Sequence, residues 1–351
     1  MASSASALRP AQIAVDRPRT FIKSESFDRA LLVLPLVTGL AAASVALIDI
    51  RLFPLLLLAD LWLLGYHHVV ATYTRIAFTT DALRQNRFMA VDLLLLVTAV
   101  TLGLAFTAGA WVVATSFLYL QWFHYMRQGY GIGRMYYRAT PEGREAGARD
   151  LTADFVIYLV PIYGIAARSA TMGDTFLALP VKTVVLPEAV VMALGVAAVL
   201  ATGVWVVRSA ASFARGTLNV QYAGFVLSHV AIFLTAYILI DDANVGWLAI
   251  NVWHNFQYVL VVWMANARKY SGEAAPQASL MARISQPHRV AAYFTICLAI
   301  STLVYVVLGR FVAAFGGGLA LTLGIYMGIN FHHYIVDALI WKRRRAVPQA
   351  A

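Results

Sequence analysis

Long hydrophobic runs alternate with short polar segments along almost the whole chain. A helix needs about 20 predominantly apolar residues to cross the hydrocarbon core of a bilayer, and this criterion predicts about ten such helices. They lie near residues 30–49, 52–74, 88–108, 110–131, 152–168, 184–207, 218–240, 246–266, 290–309 and 318–341. The pattern therefore predicts an all-α, polytopic integral membrane protein built as one helical bundle.

Basic residues collect at alternate ends of these hydrophobic segments. Most Lys and Arg residues lie in the N-terminal tail, after the second, fourth, sixth and eighth segments, and after the tenth. Cytoplasmic loops are enriched in Lys and Arg, so this alternation predicts that both termini are cytoplasmic. We expect a disordered cytoplasmic tail at 1–28, a single transmembrane domain at 29–345 and a short tail at 346–351.

The composition supports a membrane protein and excludes other classes. Hydrophobic residues make up 61% of the chain and charged residues 13%, whereas soluble proteins are roughly half apolar and about one quarter charged. The net charge of +10 would suggest nucleic acid binding in a soluble domain. Here the basic residues lie at the ends of hydrophobic segments, where they indicate the orientation of the protein in the membrane, so no nucleic-acid partner is expected. The single Cys297 excludes an intramolecular disulfide and a paired-cysteine metal site.

Histidine is the residue type that carries the candidate chemistry. Lipid cannot solvate an imidazole, so an ionisable side chain at membrane depth indicates a functional site. Of the eight histidines, His288 lies beside Arg289 at a segment start and is expected to be an ordinary surface residue. The others fall within the hydrophobic segments and are predicted metal ligands: His67, His68, His124, His229, His254, His332 and His333.

Other polar residues share helix faces with these histidines. The resulting stripes are Asp60 with His67; Gln121, His124 and Gln128; Asn251, His254, Asn255 and Tyr258; and Asn330, His333 and Asp337. Such stripes must face protein, because polar atoms turned toward lipid are costly. A carboxylate or amide that binds the second ring nitrogen orients a ligating histidine. We therefore expect Asp60, Gln128 and Asp337 to support the bound cofactor.

Two points stay open at this stage. Consecutive side chains on a helix point about 100° apart, so one member of each pair, His67-His68 and His332-His333, is expected to face the metal, and the spacing does not say which. His229 fits a ligand and a hydrogen-bonded packing residue equally well. Imidazole ligands suit iron, zinc, copper or nickel, and the scarcity of carboxylate and thiol partners favours iron.

The segments around His67-His68, His124, His254 and His332-His333 resemble the Brp/Blh-like bacterial β-carotene 15,15′-dioxygenases, which are polytopic proteins with dispersed intramembrane histidines. The resemblance implies non-haem iron, O₂ as a co-substrate, a carotenoid-like substrate and the bacterial inner membrane. It rests on architecture and covers about half of the predicted spans. The HxxxH and HxxHH boxes typical of membrane desaturases and hydroxylases are absent from this sequence.

These observations predict an iron-dependent membrane oxygenase that acts on a lipophilic substrate held between helices. Its partners are membrane lipid, O₂ and that substrate, and Tyr66 and Tyr258 are candidates to orient oxygen or substrate. One alternative is an electron-transfer protein with haem clamped between histidines of two helices, such as His229 and His254. Another is a metal or proton transporter with a path lined by histidines.

Overall fold

The computed structural model describes residues 21–270 and 279–341. Within these ranges ten long helices follow one another: α1 (Glu25–Ile48), α2 (Ile50–Ile76), α3 (Phe88–Thr107), α4 (Ala110–Tyr137), α5 (Leu151–Thr171), α6 (Glu188–Ala214), α7 (Val220–Leu239), α8 (Ala243–Lys269), α9 (Pro287–Ala314) and α10 (Leu319–Ile340). Two short helices, Thr80–Gln85 and Leu280–Ile284, lie in loops. Strands β1 (Thr175–Phe176) and β2 (Leu179–Pro180) form a small antiparallel hairpin.

Eight of the long helices are long and apolar enough to cross a membrane. Their outer faces carry large exposed apolar side chains, as lipid contact requires; examples are Leu47, Leu95, Val199 and Val307. The prediction of an all-α polytopic membrane protein is thereby confirmed at the level of fold class. The count of ten spans and the side on which the termini lie stay predictions.

The remaining two long helices, α4 and α8, carry polar stripes that lower their hydropathy below that of a typical span. Helix α8 lies at the centre of the bundle, and every residue from 245 to 267 except Phe256 and Leu260 is buried. A helix enclosed by other helices needs no lipid-compatible surface, so it tolerates asparagine, glutamine and histidine. The polar stripes therefore face the interior of the bundle.

Helix α1 begins earlier than the hydrophobic pattern indicates. The Ser24 side chain accepts a hydrogen bond from the backbone N–H of Phe27 and caps the helix, as serine commonly does. The buried carboxylate of Asp28 accepts from the backbone N–H groups of Ile22 (2.8 Å) and Lys23 (3.3 Å). Residues 25–28 thus belong to α1, which corrects the expected tail boundary at 28; residues 1–20 and 346–351 lie outside the described ranges.

A π-helical turn at Leu61–Gly65 interrupts α2 between Asp60 and the histidine pair. Residues seven apart share a face in a regular α-helix, but a π-turn adds one residue, which rotates the remainder of the helix by about 100°. Asp60 therefore points toward α8, whereas His67 packs against Phe294 of α9, with ring centroids 5.4 Å apart. The expected pairing of Asp60 with His67 is not formed, because it assumed an uninterrupted helix.

Helix α5 contains Pro161 and continues to Thr171, three residues beyond the predicted segment at 152–168. Near its end the buried guanidinium of Arg168 donates to the backbone carbonyls of Tyr237 (2.8 and 3.1 Å), Ile240 (2.5 Å) and Asp241 (2.7 Å). These carbonyls lie at and just beyond the C-terminal end of α7, where helical partners are lacking. Arg168 therefore closes the end of α7 and fixes α5 against it.

Candidate metal centre

Three buried histidines from three helices point their ring nitrogens at one another. They are His68 of α2, His124 of α4 and His333 of α10, and one ligand atom of each lies within 4.8 Å of the other two. The Nε2 of His333 is 2.6 Å from the Nε2 of His68 and 3.3 Å from the Nε2 of His124. Imidazole nitrogens bound to one metal, at about 2.1 Å each, come within roughly 3–3.4 Å of each other. This His triad therefore has the donor set of a metal site, with its nitrogens close enough together to bind one ion after a small separation of His68 and His333.

His254 of α8 lies beside the His triad. Its ring centroid is 4.9 Å from the rings of both His68 and His124. Its Nδ1 is buried and forms no hydrogen bond with any described residue. The structure thus brings four of the predicted ligands together, each from a different helix, and the ring of His254 packs beside the three whose nitrogens converge.

A series of hydrogen bonds holds the ring of His333 through its Nδ1, on the side away from the His triad. Its Nδ1 lies 2.8 Å from Thr72 Oγ1, which lies 2.8 Å from the Tyr258 hydroxyl. Asp337 Oδ1 accepts from Tyr258 (2.7 Å) and from Trp341 Nε1 (2.6 Å). An ionised carboxylate only accepts, so Tyr258 donates to Asp337, Thr72 donates to Tyr258, and His333 donates through Nδ1. This direction leaves the Nε2 lone pair of His333 pointing into the His triad.

A second hydrogen-bond network supports the opposite side of the site. The Asn251 amide nitrogen donates to Asp60 (2.5 Å), and the Asn251 amide oxygen accepts from the Tyr125 hydroxyl (2.5 Å) and from Gln121 (3.2 Å). The Tyr125 ring lies 4.4 Å from the ring of His254. Asp60 therefore sets the orientation of the Asn251 amide, which in turn holds Tyr125 against His254.

The other members of the two histidine pairs lie outside the His triad. The Nε2 of His67 is buried without a hydrogen-bond partner among the described residues. His332 uses both ring nitrogens elsewhere, because Nδ1 is 3.0 Å from the Tyr73 hydroxyl and Nε2 is 2.7 Å from the Met89 carbonyl oxygen. Within each pair the C-terminal member, His68 or His333, faces the site.

His229 occupies a separate packing position between α4, α5 and α7. Its Nε2 lies 3.0 Å from the carbonyl oxygen of Ile157, and a Cβ on Gly129 would lie 2.6 Å from its Nδ1. The lack of a side chain at Gly129 is what allows this ring to fit. Gln128, predicted to support the cofactor, donates instead to the backbone carbonyl of His254 (3.0 Å) and ties α4 to α8.

The two tyrosines predicted to orient oxygen or substrate occupy different places. Tyr66 stacks on Tyr305 of α9, with centroids 3.6 Å apart and planes 11° apart, and it lines the cavity beside the His triad. Tyr258 stacks on His68 with centroids 4.0 Å apart and belongs to the network behind His333. Tyr66 is therefore placed to contact a ligand, whereas Tyr258 is placed to orient histidines.

A cavity of about 260 Å³ lies next to the His triad. His68, His254 and His333 contribute to its wall, and most of the remaining wall is apolar or aromatic; examples are Leu57, Leu61, Phe117, Tyr305 and Met327. Ligand sites are typically concave and mostly apolar, with a few polar groups that fix orientation. The geometry fits an apolar molecule held beside the histidines.

The hairpin of β1 and β2 covers part of this cavity. Leu177 and Leu179 both line it, and Leu177 and Ala178 have φ angles of 48° and 61° at the turn. Positive φ at two successive residues is the geometry of a tight type I′ hairpin. The backbone N–H of Leu177 donates to the Asn244 side chain (2.8 Å), which fixes the turn to the start of α8.

Sequence reasoning did not select Thr72, Tyr125 or Tyr334 as part of the site. Thr72 lies four residues after His68 on the same helix face, so it could have been found as the polar residue one turn away. Tyr125 and Tyr334 directly follow His124 and His333 in the sequence. Their side chains reach the site because each helix turns more than one face toward the interior.

Comparison with models of known families, with curated proteins and with solved structures gives no match to this chain. The resemblance to the Brp/Blh-like dioxygenases is therefore not tested by these comparisons. The fold and the site together define a class: a helical membrane protein with a buried cluster of histidines beside an apolar cavity.

Proposed function

We propose that the protein is a membrane-embedded oxygenase that binds non-haem iron through His68, His124 and His333 and acts on a lipophilic substrate. The observation that carries this proposal is the convergence of three buried imidazole nitrogens within 4.8 Å of one another beside a mostly apolar cavity that His68 and His333 line. Histidine ligands with open coordination positions are typical of metal sites that activate small molecules.

Different residues of the protein have different roles at such a site. His68, His124 and His333 would hold the iron, which when bound would supply the activation of O₂. The hydrogen bonds from His333 through Thr72 and Tyr258 keep the ring in the tautomer that can bind metal. The apolar wall excludes water and holds the substrate, and Tyr66 contributes an aromatic face to it.

A single preparation tests the proposal. Protein purified in a mild detergent is expected to contain a transition metal, which we propose is iron, in a fixed ratio to the chain, as measured by elemental analysis. We expect iron-loaded protein to incorporate oxygen-18 from labelled O₂ into a lipophilic substrate, with carotenoids as the first compounds to test. A preparation that neither retains nor takes up metal would remove the oxygenase proposal.

The same preparation distinguishes the two alternatives. A strong Soret band would indicate haem, although the nitrogens of His229 face Ile157 and Gly129 rather than His254. Metal or proton flux into proteoliposomes without oxygen incorporation would indicate a transporter. Absence of a Soret band together with stoichiometric iron is the result that the proposed function predicts.

Orientation in the membrane is a separate part of the proposal, with both termini on the cytoplasmic side and ten spans. Arg144, between α4 and α5, and Gly317, between α9 and α10, are both exposed and should lie on opposite sides. In a Cys297→Ala background, a membrane-impermeant maleimide added to intact cells should label Gly317→Cys and not Arg144→Cys. Labelling of both or of neither, or the reverse pattern, would contradict this topology.

A further inference from the structure

Tyr334 carries a buried hydroxyl that forms no hydrogen bond with any described residue. The residue follows His333 on α10, its ring stacks on His124 with centroids 4.5 Å apart and planes 26° apart, and it lines the cavity. Tyr125 and Tyr258 differ from it, because Tyr125 donates to Asn251 and Tyr258 donates to Asp337. A buried hydroxyl without a partner is costly, so its partner is expected among the molecules that occupy the cavity.

Asn330 offers a complementary group one turn earlier on the same face of α10. Its amide nitrogen donates to the backbone carbonyl of Tyr326 (2.8 Å). Because a carbonyl only accepts, this hydrogen bond uses the amide nitrogen and leaves the amide oxygen of Asn330 available as an acceptor, in a residue that also lines the cavity. Residues four apart on a helix are neighbours, so Tyr334 supplies a donor close to an acceptor.

We propose that the cavity binds a lipophilic alcohol whose hydroxyl accepts a hydrogen bond from Tyr334 and donates one to Asn330. The apolar part of the ligand then lies among side chains such as Leu57, Phe117 and Met327. This inference rests on the proposed function and names its substrate class. Since the ring of Tyr334 stacks on His124, the carbons nearest the hydroxyl would lie closest to the His triad.

A pair of probes that differ in one oxygen atom tests the inference. Binding of tritiated n-dodecanol to protein in nanodiscs is measured by scintillation proximity, with n-dodecane and unlabelled n-dodecanol as competitors. Wild-type protein should prefer the alcohol by about tenfold, as one or two hydrogen bonds allow. Tyr334→Phe, which keeps the stacked ring, and Asn330→Leu should each remove most of this preference without weakening competition by n-dodecane.

Tyr136→Phe is the matched control. Tyr136 is also fully buried, and its hydroxyl forms no hydrogen bond within the described part of the chain, but it is not among the residues that line the cavity, so loss of this hydroxyl should leave the preference for the alcohol unchanged. Equal affinity of the wild type for both probes, or a Tyr334→Phe variant that keeps the full preference, would overturn the inference.

Elemental analysis of the same samples separates this inference from the proposed function. An alcohol preference that depends on Tyr334 in protein unable to bind metal would support the ligand assignment and contradict the oxygenase. Stoichiometric metal together with no preference between the probes would support the oxygenase and contradict the ligand assignment. Because Tyr334 is not a member of the His triad, Tyr334→Phe should keep its metal.

Discussion

Replacing His333 by alanine is expected to abolish metal binding while leaving the protein folded in the membrane. The Nε2 of His333 is the atom that both other members of the His triad approach, at 2.6 Å from His68 and 3.3 Å from His124. Its removal leaves at most two of the three convergent nitrogens, so occupancy should fall below detection. Elemental analysis measures the metal, and size-exclusion chromatography with circular dichroism in detergent measures the fold.

His332→Ala is the matched control, because the two residues are adjacent on α10 and both are buried. The ring of His332 hydrogen-bonds to the Met89 carbonyl and the Tyr73 hydroxyl, so this variant should keep its metal and lose only these two hydrogen bonds and local packing. The pair on α2 repeats the comparison, with loss of metal expected for His68→Ala and retention for His67→Ala. Equal metal loss within either pair would contradict the His triad.

The positions of the helices were largely predictable, because bilayer thickness dictates the length of an apolar segment. The predicted segment at 88–108 corresponds to Phe88–Thr107. Helix α4, in contrast, continues to Tyr137, six residues beyond the predicted end at 131, because a helix can extend past its apolar part. The predicted start of α6 at 184 is four residues early, because the apolar residues before Pro187 are not helical and the helix begins at Glu188.

The choice within the histidine pairs was not predictable from the sequence. Spacing along one helix does not reveal how that helix is rotated toward its neighbours, and the π-turn at Leu61–Gly65 changes the rotation of α2 in mid-helix. His67 and His68 are chemically equivalent until α9 and α10 are in place around them. The polar stripe on α8 was more informative, since a helix with so many amides in a membrane protein must be enclosed.

Asp337 illustrates how the contacts of a candidate residue differ from those that its spacing in the sequence suggests. Its spacing of four residues from His333 suggested a direct hydrogen bond along α10. In the structure its carboxylate instead accepts from Tyr258 and Trp341, and its influence reaches His333 through Tyr258 and Thr72. The sequence analysis identified Asp337 and His333, the two ends of this series of hydrogen bonds. The connection through Tyr258 and Thr72 depends on contacts between α2, α8 and α10.

This chain of hydrogen bonds makes Thr72 a sharp test of how His333 is oriented. Thr72→Val keeps the shape of the side chain and removes its hydroxyl, so the Nδ1 of His333 loses its partner at 2.8 Å. Loss of a group that orients a ligating histidine typically reduces metal affinity by about 10–100-fold. We expect a reduction of that size, measured by competition with a chelator of known affinity.

Thr72→Ser is the informative control, because serine restores the hydroxyl and removes only a methyl group. It should recover affinity to within about threefold of the wild type, since it keeps the hydrogen bond on which the tautomer depends. If Thr72 acted only through packing, Thr72→Ser would lower the metal affinity more than Thr72→Val, because valine preserves the volume that serine loses. Wild-type metal affinity in Thr72→Val, or an equal loss of affinity in both variants, would contradict this role. It would show that the hydrogen bonds from Asp337 through Tyr258 and Thr72 do not control the His333 nitrogen that faces the His triad.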